Sequence, residues 1–298
     1  MAIEKVGVIG CGLMGHGIAQ VAAQGGCKVI VVEADQAALD RGLGRIDKSL
    51  AKLAEKAVEK GKASEADAKK GAQATRARIT GTLKRSDVKD CDLVIEAIVE
   101  DLDAKKALFR ELGGLCKPSA ILASNTSSFP IAEMAAASGR PKNVVGLHFF
   151  NPVQLMRLVE VVRTDETSDE VFAAARAFGE TCGKKPVACV DTPGFVVNRL
   201  LVPYMVQALQ MLERGDATAE DIDAAMQFGC GYPMGPITLP DYGGLDTTLA
   251  ILKGWVERYP DEPAFAIPAS LERKVAEGKL GRKSGEGYYK WEGDKKTS

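Results

Sequence analysis

Residues 5–33, KVGVIGCGLMGHGIAQVAAQGGCKVIVVE, decide the fold. Val6 to Ile9 is short, apolar and mostly β-branched, the pattern of a parallel strand buried on both faces. It runs into Gly10-Cys11-Gly12-Leu13-Met14-Gly15, and helical spacing follows from about Leu13 to Gln24. In such a turn Gly10 permits the sharp reversal, Gly12 lets a pyrophosphate approach the backbone, and Gly15 lets the helix pack against the strand. The free N–H groups and positive dipole end of the helix would then face the phosphates. A second strand, Lys28 to Val32, ends at Glu33, where a carboxylate suits the ribose hydroxyls of an adenosine. No Arg or Lys lies between Ala34 and Asp40 to pair with a 2′-phosphate, so the unit reads as binding NAD rather than NADP. With 31 glycines in the chain a GxGxxG alone means little; here strand, helix, second strand and terminal acid agree.

The 298 residues, 46% of them apolar, are enough for two cores, and a formal net charge of −1 provides no global field to draw in nucleic acid or an anionic membrane. An anionic ligand must therefore be met by local charge. Val6 to Cys27 carries no charged residue, yet its glycines, glutamines and histidine mark it as a folding unit rather than a signal peptide or a membrane span. Seven cysteines, at 11, 27, 91, 116, 182, 189 and 230, form no CxxC pair. They read as small buried or neutral thiols, not a disulfide or metal framework, and fit a cytoplasmic or other reducing compartment.

Gln36 to about Ala77 reads as two charged helices breaking near Gly61 to Ser64, with apolar spacing at Leu39, Leu43, Ile46, Leu50 and Leu53. They are too long for an ordinary crossover and are expected to form an arm. Lys48, Lys52 and Lys56 line one face; they could greet a phosphate-bearing ligand, but spacing alone favours a solvated face with Glu55 and Glu59 nearby. Strands follow at Ile79–Leu83, Asp92–Ala97, Ala120–Ala123, Asn143–His148, Leu158–Val162 and Pro186–Val190, with helices over Leu102–Leu115, after Pro130, and over Ser168–Cys182. Ligands gather at the carboxyl ends of such strands. Glu100 and Lys105 lie at one such end, and Ser124-Asn125-Thr126-Ser127-Ser128 at another; an exposed ion pair and a polar capping turn explain them as well.

His148 is one of only two histidines, and Glu160 is embedded in the apolar run Leu158 to Val162. A carboxylate there needs a partner, and a strand-end imidazole is the natural one for proton transfer. His16 has no such company. Past Asp191-Thr-Pro-Gly194 the pattern becomes helical: Phe195–Arg214, Ala219–Phe228, Leu245–Arg258 and Pro268–Glu277. The expected architecture is an α/β, Rossmann-type dinucleotide-binding domain (1–190) with a helical-hairpin insertion, followed by an all-α domain (191–298) for substrate and dimerisation.

GCGLMGHGIA at the start, VIEAIVED (94–101), SNTSS (124–128), GLHFFNPVQLMRLVEVV (146–162), DTPGFVVNRLL (191–201), GYPMGPITLPDYGGLD (231–246) and GKLGRKSGEGYY (278–289) carry a wider resemblance. On these motifs nearly the whole chain resembles the 3-hydroxyacyl-CoA dehydrogenase family, especially its single-function bacterial members that act on 3-hydroxybutyryl-CoA. The resemblance implies His148 as the catalytic histidine with Glu160 its paired carboxylate, and Ser127 and Asn198 near the substrate's 3-oxygen. It implies Glu100 and Lys105 near the nicotinamide, with Leu13, Met14, Ala97, Asn125 and Ser127 completing the cofactor set. Ser49, Lys52 and Lys56 fall where the family meets coenzyme A, and Asn151 joins Ser127 and Asn198 on the substrate side. Because Asn198 lies past the domain break, the site is expected to close between the two domains. Gln154 departs from the usual proline and Phe129 from the usual leucine, which bears on acyl-chain preference.

The implied partners are an acyl-CoA thioester and a second copy of the chain, with no room for a fused hydratase domain. Leu200, Leu201, Met205, Leu209 and Leu212 would give the dimer an apolar face, or simply fill the second core. Two other readings remain: a dehydrogenase of free hydroxy acids or sugar acids, and a non-catalytic dinucleotide-binding protein.

Overall fold

Lys5–Ile9 (β1) enters the glycine turn and Gly15–Gln24 forms α1, two residues shorter than its periodicity suggests because Met14 is the N-cap. No side chain caps α1 and no acid lies in its first turn, so its leading N–H groups face outward without a protein partner of that kind. The computed structural model describes residues 2–297, which fall into two compact units divided between Phe195 and Val196.

In the first unit Lys28–Val32 (β2), Ile79–Thr82 (β3), Leu93–Glu96 (β4), Ile121–Ser124 (β5), Val144–Phe149 (β6), Leu158–Arg163 (β7) and Lys185–Val190 (β8) join β1 in one sheet, ordered β3-β2-β1-β4-β5-β6-β7-β8. From β3 through β6 every pairing is parallel. β7 runs against β6, and β8 is parallel to β7. The order reverses between β1 and β4, which opens the crevice where a dinucleotide crosses a doubly wound sheet. α1 and Asp169–Thr181 (α6) belong to one core cluster with Val8, Ile18 and Phe178, while Leu102–Leu115 (α4) and Ile131–Ser138 (α5) close the other around Phe109, Leu122 and Met134. Asp191 accepts the N–H groups of Ile131 and Ala132 at 2.9 and 2.8 Å, which ties the segment after β8 to the start of α5.

Gln36–Glu59 (α2) and Glu65–Arg76 (α3) are the hairpin insertion, each started by a side-chain cap, Asp35 and Ser64. Leu39, Ile46 and Leu50 root it in the core, and the distal half is largely exposed. A groove of about 640 Å³ lies between the two helices, lined by Leu50, Ala54, Val58 and Ala72 with Glu55 and Glu59.

The second unit holds Val197–Arg214 (α7), Ala219–Cys230 (α8), Thr238–Gly243 (α9), Leu245–Arg258 (α10) and Ala269–Ala276 (α11). A short antiparallel ribbon, Trp291–Glu292 (β9) with Lys295–Lys296 (β10), and the short helix α9 add to the helices that periodicity predicts. Fully buried Asp241 accepts the N–H groups of Tyr288 and Tyr289 at 2.8 and 2.9 Å and the Trp291 indole N–H at 3.0 Å, which straps the tail to the helices. Of the five α7 residues expected to form an apolar face, Met205 and Leu209 are buried, Leu201 and Leu212 pack against the same core, and Leu200 is 70% exposed. No helix among the described residues is long and apolar enough to cross a membrane.

The glycine turn makes the sharpest demand on the chain. Gly10 has φ +97°, and a Cβ on Gly15 would stand 1.9 Å from the Gly10 carbonyl oxygen. Gly15→Ala should therefore lower the thermal midpoint and weaken NADH binding by at least about tenfold in a fluorescence titration, since turn and helix must part to admit the methyl. Parent-like affinity would show that the turn does not govern the cofactor.

Candidate active site

Reversal of one strand brings His148 and Glu160 together. Because β7 is antiparallel to β6, His148 near the carboxyl end of β6 lies directly across from Glu160, the third residue of β7. His148 Nδ1 and Glu160 Oε2 are 2.7 Å apart and both side chains are buried. A carboxylate only accepts, so Nδ1 carries the proton, and Nε2 makes no hydrogen bond among the described residues. The Phe150 and Phe195 rings lie 4.4 and 5.6 Å from the imidazole. Phe195 holds φ at +55°, an uncommon backbone for an aromatic residue, which places its ring there.

The ends of β4 and β5 form the neighbouring wall. Lys105, buried on α4, donates to Glu96 Oε1 at 2.6 Å and reaches Glu100 Oε2 at 3.0 Å. Glu100 Oε1 accepts the Thr126 hydroxyl, the Ser128 hydroxyl at 2.7 Å and the Ser127 N–H at 3.3 Å. Burial pushes the Glu100 carboxyl up, but the Lys105 ammonium and these hydroxyls outweigh it, and the group ends below its ordinary value. Ser127 is thus held by its backbone while its hydroxyl bonds to nothing among the described residues. Asn125 is nearly buried; its Oδ1 accepts the Phe149 N–H at 3.0 Å and so ties β5 to the residue after His148.

On the other side of the crevice Ala97 lies against the glycine turn, its carbonyl oxygen 2.5 Å from where a Gly10 Cβ would stand. Gly12 has open space where a Cβ would stand, with nothing within 4 Å, which leaves its backbone open to close approach. Leu13 is exposed and Met14 packs against the core. Glu33 accepts the Cys11 N–H at 2.6 Å and the Ala34 N–H at 3.0 Å, which fixes its carboxylate at the end of β2 with lone pairs to spare for ribose hydroxyls. Burial, with the Glu33 carboxylate beside it, pushes the Cys11 thiol up to about 12, so it stays neutral. His16 Nδ1 donates to the Gly12 carbonyl at 2.8 Å and buttresses the turn.

Asn151 is exposed in the loop from β6 to β7. Gln154 Nε2 donates to Gln20 Oε1 at 3.2 Å, and Lys184 Nζ donates to the carbonyls of Val153 and Met156, so α1 and the start of β8 both pin that loop. Lys52 and Lys56 are exposed on α2 with Ser49 half-buried, and neither lysine forms an ion pair among the described residues. Glu55 and Glu59 line the groove toward α3 instead. Asn198 lies in the first turn of α7 in the second unit. Glu96 is the residue that sequence reasoning passed over. Its signal, an acid closing the apolar strand Leu93-Val-Ile, is of the kind that pointed to Glu160.

The first unit and the second each match a known family profile: "3-hydroxyacyl-CoA dehydrogenase, NAD binding domain" over residues 5–192 and "3-hydroxyacyl-CoA dehydrogenase, C-terminal domain" over 194–291. The chain is 50% identical over 287 residues to a probable 3-hydroxybutyryl-CoA dehydrogenase of Deinococcus radiodurans, covering 96% of this chain and all of that one. It is 49% identical to the mitochondrial hydroxyacyl-coenzyme A dehydrogenase of Rattus norvegicus, covering 97% and 91%. Among solved structures, (S)-3-hydroxybutyryl-CoA dehydrogenase from Ralstonia eutropha superposes with a TM-score of 0.90 at 38% identity, covering 98% of this chain and 100% of that one.

Because Glu100 titrates below the ordinary carboxylate value near 4.5, its share of stability is fully present above that value and is lost as the pH falls through the lowered one. Glu100→Gln should flatten this part of the acid limb in thermal midpoints measured from neutral to low pH. Parallel acid limbs for parent and variant would remove Glu100 from the linkage.

Proposed function

The chain belongs to the 3-hydroxyacyl-CoA dehydrogenase family, and from that premise we propose a short-chain (S)-3-hydroxyacyl-CoA, with 3-hydroxybutyryl-CoA foremost, as its substrate. It is an NAD-dependent oxidoreductase that interconverts 3-hydroxyacyl-CoA and 3-oxoacyl-CoA. The observation that carries the mechanism is the buried 2.7 Å contact between His148 Nδ1 and Glu160.

Gly10, Gly12 and Gly15 with the start of α1 would hold the cofactor's pyrophosphate, Glu33 its adenosine ribose, and Ala97, Glu100, Lys105 and Asn125 the wall beside its nicotinamide. Bound NAD supplies the acceptor for the hydride that leaves the alcohol carbon. His148 Nε2 takes the hydroxyl proton as that carbon is oxidised and returns it in the reducing direction. Glu160 keeps the proton on Nδ1, so that Nε2 stays a base, and stabilises the imidazolium once it forms. The unpartnered Ser127 hydroxyl suits the 3-oxygen, and a donor there stabilises negative charge building on it. Asn198 takes the same oxygen, and Asn151 the substrate, on the family resemblance alone.

Lys52 and Lys56, unpaired on α2 with Ser49 beside them, suit the phosphates of coenzyme A. The first unit serves the cofactor, and the second serves substrate and dimerisation. A homodimer through the second unit accords with its exposed Leu200 and with Phe228, which is 90% exposed at the end of α8. Seven unpaired cysteines, five of them buried, accord with the cytoplasm.

His148→Gln should lower kcat by about 10²- to 10⁴-fold with NADH affinity little changed, followed as loss of NADH absorbance with acetoacetyl-CoA. Near-normal turnover would remove His148 from the reaction. The paired change Lys52→Ala and Lys56→Ala should raise KM for acetoacetyl-CoA by about three- to tenfold at unchanged kcat. An unaltered KM would remove the two lysines from coenzyme A recognition.

A further inference from the structure

Glu96 is fully buried, sits 2.6 Å from the Lys105 ammonium, and bonds directly to Ser124 and Asn125 of the turn that bears Ser127. We propose that it is a positioning residue for the reaction, holding Ser127 in place by joining β4, β5 and α4 through a buried charge; this rests on the reading of Ser127 as a substrate-binding residue.

Each atom of the Glu96 carboxylate is committed. Oε1 takes the Lys105 ammonium at 2.6 Å and the Ile98 N–H at 2.9 Å, and Oε2 takes the Ser124 hydroxyl at 2.6 Å. Ser124 Oγ in turn accepts the Thr126 N–H at 3.2 Å, and the Glu96 carbonyl accepts the Asn125 N–H at 3.0 Å. One end of the turn therefore hangs on Glu96 directly. The other hangs on Glu100, which accepts from Thr126, Ser127 and Ser128 and shares the same Lys105.

A single ammonium divided between two carboxylates couples the two ends. A buried charge keeps its partner because losing it leaves the other uncompensated. Were Glu96 neutral, Lys105 would have Glu100 as its only carboxylate among the described residues, and Glu100 would be drawn along the ammonium and away from the turn. Ser124 would at the same time lose its charged acceptor. The Ser127 backbone then shifts, and its hydroxyl, which nothing else fixes, shifts with it. Displacement by about 1 Å near a reacting atom costs on the order of 10²-fold in rate.

The test is a double-mutant cycle in kcat at saturating NADH and acetoacetyl-CoA, with thermal midpoints alongside. Glu96→Gln keeps the shape and removes the charge; it should lower kcat about 10- to 100-fold while KM for NADH changes less than about threefold. Ser127→Ala should lower kcat by itself, and the double variant should fall little below Ser127→Ala, because Glu96 acts through that residue. A double variant whose loss is the product of the two single losses overturns the proposal, as does parent-like kcat in Glu96→Gln. Near-normal turnover in Ser127→Ala instead removes Ser127 from the reaction, and the proposal with it. Should Glu96→Gln fail to fold, Ser124→Ala runs the same cycle: it deletes one bond to Glu96 and leaves both charges. A smaller loss that disappears in the Ser127→Ala background supports the proposal, and an additive or absent loss overturns it.

Discussion

One hydrogen bond, between an imidazole and a carboxylate that no water reaches freely, sets what this fold can do. Glu160 stands in the apolar run of β7 and is fully buried, a position that would be prohibitive without a partner. The reversal of β7 against β6 supplies one by register, His148 opposite Glu160. Had β7 continued parallel, its amino-terminal half would not lie beside the carboxyl end of β6, where a doubly wound sheet gathers its ligands. The break in the parallel pattern is therefore the feature that gives the sheet a paired imidazole and carboxylate beside its strand ends.

The same logic recurs at β4 and β5, with a different pair of elements. There a lysine from α4 is shared between two acids, and the acids hold the polar turn 124–128 rather than an imidazole. Asn125 links the two regions, since its backbone bonds to Glu96 and its side chain to Phe149 beside His148. Base, hydroxyl and crevice are thus fixed through strand ends and one shared charge. The segment between β6 and β7 is itself pinned by Gln154 and Lys184.

How much of this is legible in the chain depends on the range of the interaction. Buried parallel strands leave continuous apolar runs, so the sheet is readable almost to the residue; β2 and α4 begin and end where periodicity puts them. The His148–Glu160 pair is readable because the chain has two histidines and the acid interrupts an apolar run. Glu96 ends its run instead of interrupting it, and that small difference hides it. The ribbon β9–β10 is unreadable locally, since Asp241 of α9 holds Trp291 at its start from some fifty positions away in sequence. The apolar stripe of α7 shows the limit of spacing: it cannot say which residues face a core, and only Leu200 does not.

Because His16 and His148 are the sole histidines, the proton on the His148 ring can be observed directly. With histidine labelled by ¹⁵N, a long-range ¹H–¹⁵N correlation spectrum at mildly alkaline pH, assigned with a His16→Asn variant, reports which nitrogen of His148 is protonated. The account predicts a protonated Nδ1 whose proton is shifted strongly downfield by Glu160, beside a bare Nε2. A ring protonated on Nε2, or an Nδ1 proton with no downfield shift, would contradict it.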